Sequence, residues 1–211
     1  MTILILEDQS VKNSRICELF GLSNSGKSTY ARELISKNYN CSMPHEGGNL
    51  KKLILFFKFL LKHPVNTSKI FVKMNSNWVF LDHLSLLEYI RIFYMRNSYM
   101  AAVLARYEEI KKDGNPICVD EFFLQSLFMV FQVKTNEEEI SKIIRLFPRS
   151  WRSILIEINR ETRYLRLNKS GFPGQRIDKK YAEIWMENSE SNYGLIKKIL
   201  LDRCKIVQRF D

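Results

Sequence analysis

The stretch ICELFGLSNSGKSTYARELI, residues 16–35, carries the strongest fold signal in the chain. Its centre, Gly21-Leu22-Ser23-Asn24-Ser25-Gly26-Lys27-Ser28, has the spacing G-x-x-x-x-G-K-S. Two glycines at that spacing let the backbone wrap an anion, so that successive amide hydrogens and the N-terminus of a following helix converge on one phosphate group. The flanks supply the context this requires. Residues 15–20, RICELF, are an apolar run that predicts a short buried strand, and KSTYARELISK has the apolar spacing of a helix. Residues 21–29, from Gly21 to Thr29, are therefore the expected nucleotide-binding segment. Lys27 is of a length to reach the β- and γ-phosphates, and the Ser28 hydroxyl is a candidate ligand for Mg2+. The bland alternative, a surface turn with a stray lysine, leaves the strand and helix on either side unexplained.

A phosphate loop of this kind needs an acidic residue at the end of a neighbouring strand. The apolar run ICVD at 117–120, followed by Glu121, meets that need. Asp120 is expected on the metal side. Glu121 is a candidate general base for a substrate hydroxyl, its structural alternative being an acid favoured at a helix start.

Between these segments, residues 50–112 carry helical patterns: LKKLILFFKFLLKH stopped by Pro64, DHLSLLEYIRIFYMRN with Asp82 as N-cap, and SYMAAVLARYEEIKK. They predict a helical insert between two strands. Asp113-Gly114-Asn115-Pro116 predicts a turn, Thr135 with Glu138 a capping box, 153–158 a third strand and 205–210 a fourth. Strands alternating with helices predict an α/β fold, with a parallel sheet covered on both faces. Lys51, Lys52, Lys58 and Lys62 share an approximate face of the first insert helix opposite a broad apolar one. A helix packed on its own domain accounts for that pattern, with an anionic membrane surface as the alternative. The insert aromatics Phe56, Phe57, Trp78, Tyr89, Phe93, Tyr94, Tyr99 and Tyr107 are expected in the core rather than as base-stacking platforms.

The 211 residues fit one domain, 1–211, and 45% hydrophobic with 27% charged residues is ordinary for a globular chain. No apolar run reaches the roughly 18 residues of a membrane span, and MTILILEDQS is unlike a secretory leader, so a cytoplasmic location is expected. The formal charge of +10 favours anionic partners. Cys17, Cys41, Cys118 and Cys204 form no Cys-x-x-Cys pair, and His45, His63 and His83 have no metal-ligand spacing, so no metal beyond magnesium is expected.

The segment INRETRYLRLNKSGFPGQR, 158–176, holds Arg160, Arg163, Arg166, Lys169 and Arg176, with Gly171, Pro173 and Gly174 bending the chain before Arg176. Arg163 and Arg166 fall on one helix face. A mobile basic segment at about 160–177 is suited to close over a transferring phosphoryl group, the alternative being a solvated basic face. Phosphate loop, helical insert, strand ending in Asp120-Glu121, and strand leading into Arg-x-x-Arg resemble the P-loop kinases of the nucleoside and nucleotide kinase group, including thymidylate-kinase-like proteins. The resemblance spans most of residues 15–210. It implies a three-layer P-loop fold and transfer of the γ-phosphoryl group of ATP, with Mg2+, to a small anionic or hydroxyl acceptor. It also implies Lys27 and Ser28 as the loop pair, Asp120 as the strand-end acid, Arg163, Arg166 and Arg176 as lid arginines, and the helices of 50–112 as the acceptor-binding insert. Asp120 is followed by Glu121 where many such kinases have Asp-Arg, and no Glu-Arg-Ser signature occurs, which leaves nucleoside, nucleotide and sugar acceptors open. Two other functions fit the same motifs: a nucleotide-dependent switch with little turnover, and a polynucleotide kinase, although nucleic acid is not the favoured partner. GTPase and transporter-type signatures are absent from the sequence.

Overall fold

The computed structural model describes residues 1–8, 15–42, 49–113, 117–148, 152–170 and 178–210. Arg176, the Gly171 to Gly174 bend, His45 and the turn at 114–116 lie outside the described residues.

The apolar run before the phosphate loop forms β2 (Ile16–Phe20), the second strand after β1 (Thr2–Glu7), and the loop leads into α1 (Lys27–Ser36). There follow β3 (Cys41–Ser42), α2 (Asn49–Lys62), α3 (Pro64–Ser76), α4 (Leu86–Asp113), β4 (Ile117–Asp120), α5 (Phe123–Val130), α6 (Glu137–Ile144), β5 (Arg152–Glu157), α7 (Arg160–Ser170), α8 (Lys179–Arg203) and β6 (Lys205–Phe210). The fold is mixed α/β, with one six-stranded sheet in the order β3-β4-β2-β5-β1-β6. The expected parallel pairing holds from β3 through β4 and β2 to β5. It is corrected at β1, which runs antiparallel to both β5 and β6. β1 was not anticipated because TILILE is short and sits ahead of any turn signal, yet Leu6 is fully buried between its neighbours.

From β2 the chain goes by way of α1 to β3 and β4 on one side, while β5 flanks β2 on the other. In an open sheet such a change of side leaves a crevice beyond the carboxyl ends of the strands. The segments following β2, β4 and β5 all leave at that edge.

Helix boundaries depart from expectation where caps compete. Pro64 does stop α2, and it also opens α3 at a first-turn position that needs no amide donor. Asp82 is not a cap: Ser85 is, its Oγ accepting from the Glu88 N–H at 3.3 Å while Glu88 Oε2 accepts from the Ser85 N–H at 2.7 Å. The two helices expected between 82 and 112 are one, α4. Asn136, not Thr135, caps α6, accepting from the Glu139 N–H at 2.9 Å.

Arg96, fully buried on α4, ties the C-terminal ends of α3 and α5 to that helix. Its guanidinium lies 5.1 Å from the Trp78 ring and donates to the carbonyls of Met129, Asn77 and Met74. Of the insert aromatics, Phe59 and Tyr107 meet edge to face with ring centroids 5.8 Å apart inside the insert, while Phe57, Phe93 and Tyr94 are exposed.

Candidate phosphate cleft and adjoining pocket

The crevice is built first by glycine. A Cβ at Gly21 would overlap the Ile156 carbonyl oxygen of β5 and approach Ser25 Oγ to 2.7 Å, so only glycine lets the loop leave β2 against β5. Asn24 and Gly26 then take positive φ, 61° and 103°, which turns the loop back on itself before α1. The Ser25 N–H closes the turn onto the Leu22 carbonyl at 3.1 Å. Ser25 is buried, and Ser23, Asn24, Gly26, Lys27, Ser28 and Thr29 line a cleft of about 630 Å³ together with Glu121, Gln125 and Arg166.

Lys27 is buried, and its ammonium donates to the carbonyls of Gly21 at 2.9 Å and Leu22 at 3.0 Å. Burial pulls its pKa below the ordinary lysine value, with the nearby Asp120 and Glu121 carboxylates pulling the other way. Ser28 Oγ donates to Asp120 Oδ2 at 2.8 Å, bringing together the expected metal pair from β4 and α1. Asp120 Oδ1 is buried and has no hydrogen-bond partner among the described residues. Such an orphaned carboxylate oxygen fits a hard cation, and Mg2+ commonly takes only one or two protein carboxylates beside water and phosphate. Accordingly, the lack of any cluster of three or more His, Cys, Asp or Glu ligands among the described residues does not count against it.

Glu121 follows at φ 53°, a left-handed conformation that costs a non-glycine residue about 1–3 kcal/mol. Two contacts hold that turn. Arg106 Nη1 donates to the Asp120 carbonyl at 2.6 Å. From below, buried Glu18 of β2 accepts from the first amides of α5, those of Leu124 and Gln125. A carboxylate at a helix N-terminus satisfies otherwise orphaned amides. Glu18 thus ties the strand that feeds the phosphate loop to the helix that follows Glu121. Nothing in the sequence named Glu18; a charged residue inside the run ICELF was the available signal.

A second pocket, about 180 Å³, adjoins the cleft. Its wall includes Leu22 and Ser23 of the loop, Tyr99, Phe128, Arg163 and Trp185, and it shares Ser23, Glu121 and Gln125 with the cleft. The Tyr99 hydroxyl is pushed well above the ordinary tyrosine pKa by burial and by the neighbouring Glu121 and Glu18 charges, so it stays a donor. The Trp185 indole N–H is committed to the Phe128 carbonyl at 3.1 Å, which leaves its ring as an apolar wall. Sequence reasoning missed Gln125, Phe128 and Trp185. Gln125 and Phe128 share a face of α5, but only the fold turns that face toward the crevice.

The arginines divide. Asn159 starts α7 right after β5 by accepting from the Thr162 N–H at 2.8 Å, which hangs the helix over the crevice. Arg166 Nη1 donates to the Asn24 carbonyl of the phosphate loop at 3.4 Å. Arg163 is buried, ion-paired with Glu190 of α8, and faces the second pocket rather than the cleft. Arg160 also reaches Glu190, at 3.6 Å.

No protein-family model matches the chain, and a search of curated proteins returns no match. No helix among the described residues is long and apolar enough to cross a membrane.

Proposed function

We propose that the chain is an ATP-dependent phosphotransferase with a three-layer P-loop fold, moving the γ-phosphoryl group to a small nucleoside, nucleotide or sugar acceptor. One observation carries this reading: Glu121 and Gln125 line both the phosphate-loop cleft and the adjoining aromatic-walled pocket. A switch protein needs the cleft alone, whereas group transfer needs donor and acceptor spaces that meet at a base.

In this reading the amides of residues 21–28 and the Lys27 ammonium hold the β- and γ-phosphates of ATP. Ser28 and Asp120 hold Mg2+, which supplies charge neutralisation at the phosphate oxygens. Glu121 accepts the proton of the acceptor hydroxyl as that oxygen bonds to the γ-phosphorus; the bond to the β–γ bridging oxygen breaks, and ADP leaves. Arg166, already at the loop, offsets charge on the transferring group. Arg163 belongs to the acceptor side, where Glu190 fixes it. Tyr99 donates into the same pocket.

The test is ADP release by the purified chain with Mg-ATP across a panel of nucleosides, nucleoside monophosphates and sugars. Acceptor-dependent release is the expected result. Tight ATP binding with no acceptor-dependent release would replace transfer with the switch reading.

A further inference from the structure

Helix α2 has two apolar faces where a domain helix needs one. Leu55 and Phe59 are buried against the insert, and that face fulfils the packing expected from the sequence. A second stripe, Leu50, Leu53, Ile54, Phe57 and Leu61, points to solvent with exposures of 73, 51, 60, 50 and 81%. At 3.6 residues per turn these five positions fall in an arc roughly 100° wide, on a helix about 21 Å long. On α3, the next helix, Val65 and Val72 share a face and are exposed as well. Scattered exposed apolar residues are ordinary; a continuous stripe along a helix marks an interaction surface.

The charge on this surface has one sign. Residues 49–77 contain six lysines and no acidic residue. Neighbouring elements return part of the charge. Glu108 of α4 lies 2.6 Å from Lys62 and 4.0 Å from Lys58, Glu109 of α4 pairs with Lys51, and Glu139 of α6 lies 2.6 Å from Lys73. Lys52 and Lys69 have no carboxylate partner among the described residues, and Glu108 is shared by two lysines, so the face keeps a positive balance. Lys58 falls about 40° from Ile54 at the edge of the stripe and Lys69 about 40° from Val65 on α3, where their ammonium groups can sit at headgroup level with the apolar side chains below; Lys51 and Lys62 are held by the α4 carboxylates.

We propose that the α2–α3 face docks on the surface of an anionic phospholipid bilayer. Leu53, Ile54, Phe57 and Leu61 enter the boundary between headgroups and acyl chains, and the lysines meet lipid phosphates and carboxylates. A second copy of this chain fits less well, because a symmetric contact would set two acid-free, lysine-bearing segments against each other. The docking is peripheral, and the phosphate-loop cleft is built from other elements.

The experiment is co-sedimentation of the full chain with phosphatidylcholine vesicles with and without phosphatidylserine, beside its oligomeric state in solution. Binding is expected only to the anionic vesicles and is expected to weaken as salt is raised. The triple variant Ile54→Ser, Phe57→Ser, Leu61→Ser should lower the bound fraction at least tenfold while keeping the circular dichroism spectrum, since all three side chains are exposed. Lys58→Glu with Lys69→Glu should lower it as well. A wild-type chain that ignores anionic vesicles overturns the proposal, as does equal binding by the triple variant or equal binding to pure phosphatidylcholine. A wild-type dimer that the triple variant converts to monomer also overturns it, since the face is then an interface between copies.

Discussion

The cleft and the pocket meet at Glu121 but are made in opposite ways. The cleft is local: nearly all of its polar wall comes from residues 23–33, one loop and one helix, with Glu121, Gln125 and Arg166 added at the rim. The pocket is assembled from five places in the chain, with Leu22, Tyr99, Phe128, Arg163 and Trp185 each on a different element or loop. A site written in consecutive residues can be recognised from spacing alone, because chain geometry fixes where its amides point. A site assembled by tertiary packing has no such signature. It also depends on supports outside the pocket, here Glu18 under α5 and Glu190 behind Arg163.

The largest effect should come from the local half. Lys27→Ala removes a buried cation that the loop amides cannot replace, and turnover should fall roughly 10³-fold. ATP binding should weaken less, because the amides remain. Rates of ADP release and ATP affinity measured by calorimetry separate the two. A folded variant with near wild-type turnover would remove the loop from the mechanism.

At the shared wall, Glu121→Gln should cut turnover roughly 10²-fold without changing the Mg2+ concentration needed for half-maximal rate. Asp120→Asn should raise that Mg2+ requirement and be partly relieved by more metal. A magnesium titration of both variants decides the matter: identical curves mean that the neighbouring carboxylates share one role, and the division between metal side and base is wrong.

That contrast tracks what was legible beforehand. Residues 21–29 and Asp120 were readable because a motif and a strand end fix their relation within a few residues. Strand β1 was not, because antiparallel pairing of an N-terminal segment with β5 is decided by register across some 150 residues of chain. The same limit applied to Arg163 and Arg166. Helical spacing put them on one face of α7, but whether Arg163 meets phosphate or the α8 carboxylate Glu190 depends on where α8 packs. The face of α2 was legible as amphipathic, though composition could not tell that its second apolar stripe would stay exposed among the described residues.

The two arginines should therefore fail differently. Arg163→Ala leaves Glu190 only its longer contact with Arg160, and the chain should lose about 1–2 kcal/mol of stability, less than for a fully buried pair because Glu190 is partly exposed. Adding Glu190→Gln should return part of that loss. Arg166→Ala should leave the melting temperature unchanged and lower turnover roughly tenfold, less than a fully sequestered donor because solvent screens it. Thermal melts and turnover numbers for the three variants test this. Equal melting temperatures for the Arg163 and Arg166 variants would undo the distinction between pocket support and loop contact.

The smallest effect concerns protonation of Lys27. Burial lowers its pKa in the folded chain below 10.5, so the nucleotide-free protein releases this proton at lower pH than an unfolded chain does. The sign follows from linkage: the folded state binds fewer protons than the unfolded one between the two pKa values, so this residue's contribution to stability increases as pH rises through that window. Nucleotide reverses the preference, because phosphate charge beside the ammonium favours the protonated form. ATP binding should therefore take up protons on the alkaline side, and affinity should decline with pH before an ordinary lysine would titrate. Lys27→Arg, which stays charged across the range, should lack this alkaline decline even if its overall affinity is poorer. Calorimetry of ATP binding in buffers of different ionisation enthalpy measures the proton uptake. Uptake that persists unchanged in the Lys27→Arg variant would assign the titration to another group, and would leave the buried ammonium charged in both states.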